Sequence, residues 1–96
     1  MSCYFVAQIT IHDPDLYERY LDSFDEVFDR YSGTVVAVDD APVILEGGWP
    51  CTRTVLIRFR DKDEAQRWYR SEEYQKIARY RHGAADANIV LIEGRN

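Results

Sequence analysis

The residues of this chain that could do chemistry gather in one stretch. Trp68 to Gly83 reads WYRSEEYQKIARYRHG and carries, two residues before its end, an arginine at an unexpected place. Arg81 follows Tyr74 by seven residues and Ile77 by four, so helical spacing sets a permanently charged guanidinium among apolar positions. Either its stem lies on the core while its head reaches water, or it is a buried fork that needs a carboxylate. That carboxylate would be Glu46 or one carried by a ligand. If a reaction occurs, Glu46 is the candidate general base and Arg81 the stabiliser of a developing oxyanion. Tyr20, Trp49, Tyr69 and Tyr74 are candidate walls for the body of a substrate, with Tyr17 a further temptation on the helix that carries Tyr20. Arg53, on the core-facing side of a strand, is a second candidate anion contact. Trp49 follows Gly47-Gly48 and Glu46, and serves equally well as a pocket rim or as the lid of a tight hairpin.

Other chemistries lack their residues. A lone Gly-Gly is no phosphate loop, because neither Gly-x-Gly-x-x-Gly nor a Walker lysine is present. Cys3 and Cys51 are too few for a disulfide framework or a zinc site and read as reduced strand or core residues. His12 and His82 sit at element boundaries without an i, i+4 partner, so neither metal nor haem is expected, and no cofactor is assigned. Ser71 reads as a helix cap rather than a nucleophile.

The elements that must position these residues follow from periodicity. Tyr4–Ile11 alternates, with Phe5, Ala7, Ile9 and Ile11 on one face, which predicts a strand. Asp13-Pro14 opens a helix whose apolar positions run Leu16, Tyr17, Tyr20, Leu21, Phe24, Val27, Phe28 and Tyr31, with Gly33 as the expected left-handed terminator. Thr34–Asp39 is a β-branched strand, Val43–Glu46 a short third strand, and Arg53–Arg60 a strong one. Asp61 followed by Glu64 has capping-box spacing, so a helix begins near Lys62. Its register slips at Ser71, where Glu72 and Glu73 suit the start of a second short helix. Ala87–Glu93 closes the chain as a strand, apolar enough to be central or covered on both faces. With the short strand counted as an extension, the order is βαββαβ: an α+β, ferredoxin-like sandwich with an antiparallel sheet and both helices on one face. The other sheet face carries enough apolar residues to need a cover, and a second copy supplies one.

Ninety-six residues make one domain, residues 1–96, and 46% hydrophobic content is ordinary for a globular chain. The net charge of −5 hides a division: residues 1–50 hold ten acidic and two basic side chains, residues 51–96 seven acidic and ten basic. The acidic run on the first helix repels phosphate, so nucleic acid is not an expected partner. No apolar run approaches the roughly 20 residues that span a bilayer, and no signal-like segment leads the chain. A cytoplasmic, non-membrane protein is the expectation.

The residues also resemble a known family, the domains of unknown function numbered 1330, within the dimeric α/β-barrel superfamily. The likeness rests on Tyr4, Asp13-Pro14 with Tyr17 and Tyr20, Gly33, Leu45-Glu46-Gly47 with Trp49, the Arg53 strand ending in Phe59, Ala65 with Trp68-Tyr69-x-Ser71-x-x-Tyr74, Arg81 and Glu93-Gly94. It implies a ferredoxin-like subunit that pairs into a dimeric barrel and leaves the activity open. Superfamily members include cofactor-free monooxygenases and small isomerases, an analogy at the level of fold. The doubled Gly47-Gly48 departs from the family pattern. Two functions stand against each other: a homodimer with a cleft for a small carboxylate or aromatic molecule, and a non-enzymatic dimeric module in which Glu46 and Arg81 form a buried structural pair.

Overall fold

A computed structural model describes residues 1–95. The elements run β1 (Cys3–Ile11), α1 (Pro14–Phe28), β2 (Thr34–Asp39), β3 (Arg53–Phe59), α2 (Lys62–Tyr69), α3 (Glu72–Ala84) and β4 (Ala85–Glu93). The sheet order is β2-β3-β1-β4, every pairing antiparallel. This is the expected ferredoxin-like arrangement, with α2 and α3 sharing the place of one helix.

Local chemistry explains the boundaries. The Asp13 side chain accepts the Leu16 N–H at 3.1 Å and Pro14 stands in the first turn, where its missing N–H costs nothing. Asp61 caps α2 by accepting the Glu64 N–H at 2.8 Å. Ser71 both ends α2 and begins α3: its hydroxyl donates to the Trp68 carbonyl at 2.8 Å and accepts the Tyr74 N–H at 3.1 Å. The slip in apolar register is therefore a real break. It turns Tyr74, Ile77, Ala78 and Arg81 inward.

Register then sets the core. Phe5 pairs with Ile57 and Leu91, and Ala7 with Val55 and Ile89, which lines these side chains up on the helix-facing side. Trp68, fully buried, stands edge-on to Phe5 at 5.4 Å and to Phe28 at 5.5 Å between ring centroids.

Three expectations are corrected. Val43–Glu46 is not a strand: residues 40–52 form an irregular loop, in which Pro42 lacks a ladder donor and Gly47 takes a φ of +71°. The loop returns through Trp49 Nε1, which donates to Thr54 Oγ1 at 2.7 Å, and through the Thr52 N–H, which donates to the Ile9 carbonyl at 2.9 Å. Helix α1 ends at Phe28, before Tyr31. Gly33 is not in the left-handed region; it is needed because a Cβ there would stand 2.4 Å from Phe28 Cζ and 2.7 Å from Phe59 Cε1.

β2 carries a bulge between Val35 and Ala37. Val35 pairs with Ile57 and Val38 with Val55, so the extra residue brings two valines three apart onto the helix-facing side.

Candidate functional site

Between the helix-facing side of the sheet and α1 lies a cavity of about 310 Å³. That volume is at the small end of ligand pockets, which run from roughly 300 to 1,000 Å³. Phe5 and Ile9 of β1, Val55 and Ile57 of β3 and Ile89 of β4 contribute from the sheet, Tyr17, Tyr20, Leu21, Phe24 and Asp25 from α1, and Val35 and Val38 from the bulged strand. Arg53 and Arg81 complete the lining. Leu21, Asp25, Val35 and Val38 are exposed and mark the mouth; Phe5, Ile57, Tyr20 and Arg81 are buried and mark the floor.

The two arginines differ in state. Arg53 presents Nε to Asp40 Oδ1 at 2.7 Å and Nη2 to Asp40 Oδ2 at 3.0 Å, a side-on bidentate pair, and its guanidinium lies 5.4 Å from the centroid of the Tyr17 ring. The hydrogen bond to Asp40 raises the pKa of Arg53, and the same bond lowers that of Asp40. Arg81 is 3% exposed, and its Nε and Nη2 have no hydrogen-bond partner among the described residues. Its guanidinium stands 5.8 Å from the centroid of Tyr20. Burial opposes the charge on Arg81, yet Tyr74 and Tyr20 outweigh it and the net shift is upward, so the group stays a cation.

Beside Arg81, the Tyr20 and Tyr74 hydroxyls share a hydrogen bond of 2.7 Å. Burial, then the Tyr74 hydroxyl, hold Tyr20 well above the ordinary tyrosine value; burial also raises Tyr74, against the pull of Arg81 and the bond to Tyr20. Tyr17 is raised by burial, with Arg53 opposing. At neutral pH all three are neutral hydroxyls next to fixed positive charge.

Of the residues singled out from sequence, Tyr17, Tyr20, Arg53 and Arg81 line this cavity, and Tyr74, fully buried, supports Tyr20 from behind. Tyr69 does not line it; together with Arg81 it borders a separate, shallower hollow at the β4 side that includes Asp86 and Ala87. Trp49 is 40% exposed on the 40–52 loop and Glu46 is exposed beside it, both outside the cavity. No ion pair joins Glu46 to Arg81 among the described residues. The break at Pro42 and the Gly47 turn leave Glu46 out of the sheet that would have carried it inward. Trp49, expected with Tyr69 as a wall of one pocket, therefore shares no cavity with Tyr69 or Arg81 among the described residues. Leu21, Phe24, Val35 and Val38 were missed as site residues: the first two read as ordinary core, and the bulge that aims the valines breaks the two-residue alternation by which a strand is read. No group of three or more His, Cys, Asp or Glu is placed to hold a metal among the described residues.

Residues 2–95 match the family model described as a domain of unknown function, DUF1330. The chain belongs to the DUF1330 family. No curated protein matches it. Solved structures share the DUF1330 chain's fold at low identity. A protein of unknown function from Rhodopseudomonas palustris is 16% identical with a TM-score of 0.76, covering 99% of this chain and 83% of that one. SnoaB from Streptomyces nogalater, described as a cofactor-independent oxygenase, is 18% identical with a TM-score of 0.69, covering 99% and 94%. A dimeric ferredoxin-like protein of unknown function from Thermobifida fusca is 12% identical with a TM-score of 0.68, covering 96% and 90%. At such identity, the fold is what is shared.

Proposed function

We propose that this DUF1330 protein is a homodimer that takes up a small aromatic or carboxylated molecule in the cavity between its sheet and α1, as a cofactor-free enzyme of oxygenase or isomerase type. The observation that carries the reading is Arg81: a buried guanidinium with two unpartnered donors on the floor of a hollow walled mainly by apolar and aromatic side chains. A structural arginine has its donors satisfied, because an unpaired buried charge is expensive. A site awaiting an anion leaves them open. The cofactor-independent oxygenase among the structural neighbours lends the chemistry plausibility at the level of fold. Arg81 is the group that would stabilise charge developing on a substrate oxygen. The other reading, a non-enzymatic module held by a Glu46–Arg81 pair, lacks that pair among the described residues.

Support for the dimer comes from the uncovered sheet face. Tyr4 lies opposite Ile92 and Val6 opposite both Leu56 and Val90, forming an apolar band on the side without helices, where Val90 is 56% and Ile92 50% exposed. Two structural neighbours are described as dimeric. The test of the binding site is a thermal-shift screen of aromatic and carboxylic acids against the wild-type protein and a Phe24→Trp variant that fills the cavity. Compounds that raise the melting temperature of the wild type and lose that effect in the variant support the cavity; equal stabilisation of both refutes it.

A further inference from the structure

The geometry points to a monocarboxylate with a flat apolar body, seated head-first, its two oxygens on the Nε and Nη2 edge of Arg81. This rests on the cavity being the binding site and assigns the chemical class and direction of what enters it. The described residues display the required contact twice: Arg53 gives that same edge, Nε and Nη2, to the two oxygens of Asp40 at 2.7 and 3.0 Å, and Arg67 gives it to the two oxygens of Glu64 at 3.0 and 3.1 Å. The matching pair of nitrogens on Arg81 is the pair without acceptors. No carboxylate of the described residues forms an ion pair with Arg81. Trp68 Nε1 is also buried without a partner, but Trp68 belongs to the aromatic core and does not line the cavity.

A further donor stands near the Arg81 guanidinium. Tyr20 and Tyr74 hydrogen-bond to each other at 2.7 Å, and one bond between two hydroxyls uses only one of their two protons. The remaining O–H needs an acceptor, and an oxygen held on Arg81 supplies it. One guanidinium and one hydroxyl neutralise a singly charged, planar head. A phosphate would bring a second charge and more acceptor sites than this floor can satisfy.

Direction follows from the walls. Buried Phe5, Ile57 and Tyr20 surround the inner part, whereas exposed Leu21, Val35 and Val38 edge the mouth, so the apolar body extends outward from the head. Arg53 is already paired with Asp40, and the exposed carboxylate of Asp25 at the mouth disfavours a second acid group on the outer end. A single acid on an apolar frame fits both ends.

The test compares 2-naphthoate with its neutral isostere 2-naphthamide on the full chain at neutral pH, by calorimetry and by the arginine Nε–H resonances, with Arg81→Lys used to assign the Arg81 signal. Naphthoate should bind at least about tenfold more tightly than the amide, the scale of a charge-assisted hydrogen bond. It should also move the Arg81 Nε–H signal, and the amide should not. Equal binding of acid and amide overturns the assignment of the head group while leaving the cavity standing. Tight binding of naphthoate with the Arg81 signal unmoved overturns it too, since the acid is then held elsewhere. If neither compound binds, the cavity reading fails and takes this proposal with it.

Discussion

Arg81 and the two tyrosine hydroxyls beside it form the centre of the candidate site, and their energetics differ in kind. The 2.7 Å bond between Tyr20 and Tyr74 is buried, so either Tyr20→Phe or Tyr74→Phe leaves one hydroxyl without its partner and should cost about 1–3 kcal/mol in urea unfolding. Removing both strands neither, and the double variant should lose less than the sum of the singles. A larger-than-additive loss would contradict the pairing. The same hydroxyls set an alkaline limit. Their folded pKa values lie above the ordinary 10.0, so the folded state holds its protons longer than the unfolded one. The stability they contribute is complete below pH 10 and falls as pH rises beyond it through the folded values; Tyr20→Phe/Tyr74→Phe should flatten that alkaline limb. Arg81 was visible in the sequence because seven- and four-residue spacings from Tyr74 and Ile77 fix its face. Its missing partner was not visible, since nothing in the local spacing says whether a residue as distant as Glu46 arrives.

At the scale of elements, caps and close approaches decide where the site's walls stand. Ser71 joins the two helices that aim Tyr74 and Arg81, and Ser71→Ala should cost about 1 kcal/mol, read as a lowered denaturation midpoint. Gly33→Ala should cost more, about 1–3 kcal/mol, because its Cβ would overlap the Phe28 and Phe59 rings. Glu64, 4% exposed, ties the segment after α1 to α2: it accepts the Ser32 N–H at 3.0 Å and pairs with Arg67 at 2.9 Å. The Ser32 N–H first, with Arg67 adding to it, holds its pKa below the ordinary 4.5. Its contribution is therefore full above pH 4.5 and is lost as pH falls through the lowered value, so Glu64→Gln should weaken the protein at pH 6 and matter less at pH 3. Caps and helices were legible because Asp13, Asp61 and Ser71 act within three residues of themselves. The bulge in β2 and the open 40–52 loop were not, because both depend on pairing with β3, across the sheet, rather than on neighbours in sequence.

For the molecule as a whole, the sheet offers one covered and one bare face. No helix of the described residues is long and apolar enough to cross a membrane. Val6, between Leu56 and Val90, sits in the middle of the bare band. Val6→Lys should leave the fold intact and shift the protein from dimer to monomer in sedimentation at micromolar concentration, since a buried lysine at the centre of an interface has no partner. A wild-type protein already monomeric there would remove the dimer from the account. The most direct measurement is a crystal of the protein soaked with 2-naphthoate. Ring density should lie between Phe24 and the β1–β3 floor, with the carboxylate against Arg81; density only over Glu46 and Trp49, or an unchanged cavity at saturating ligand, would overturn the proposed binding site.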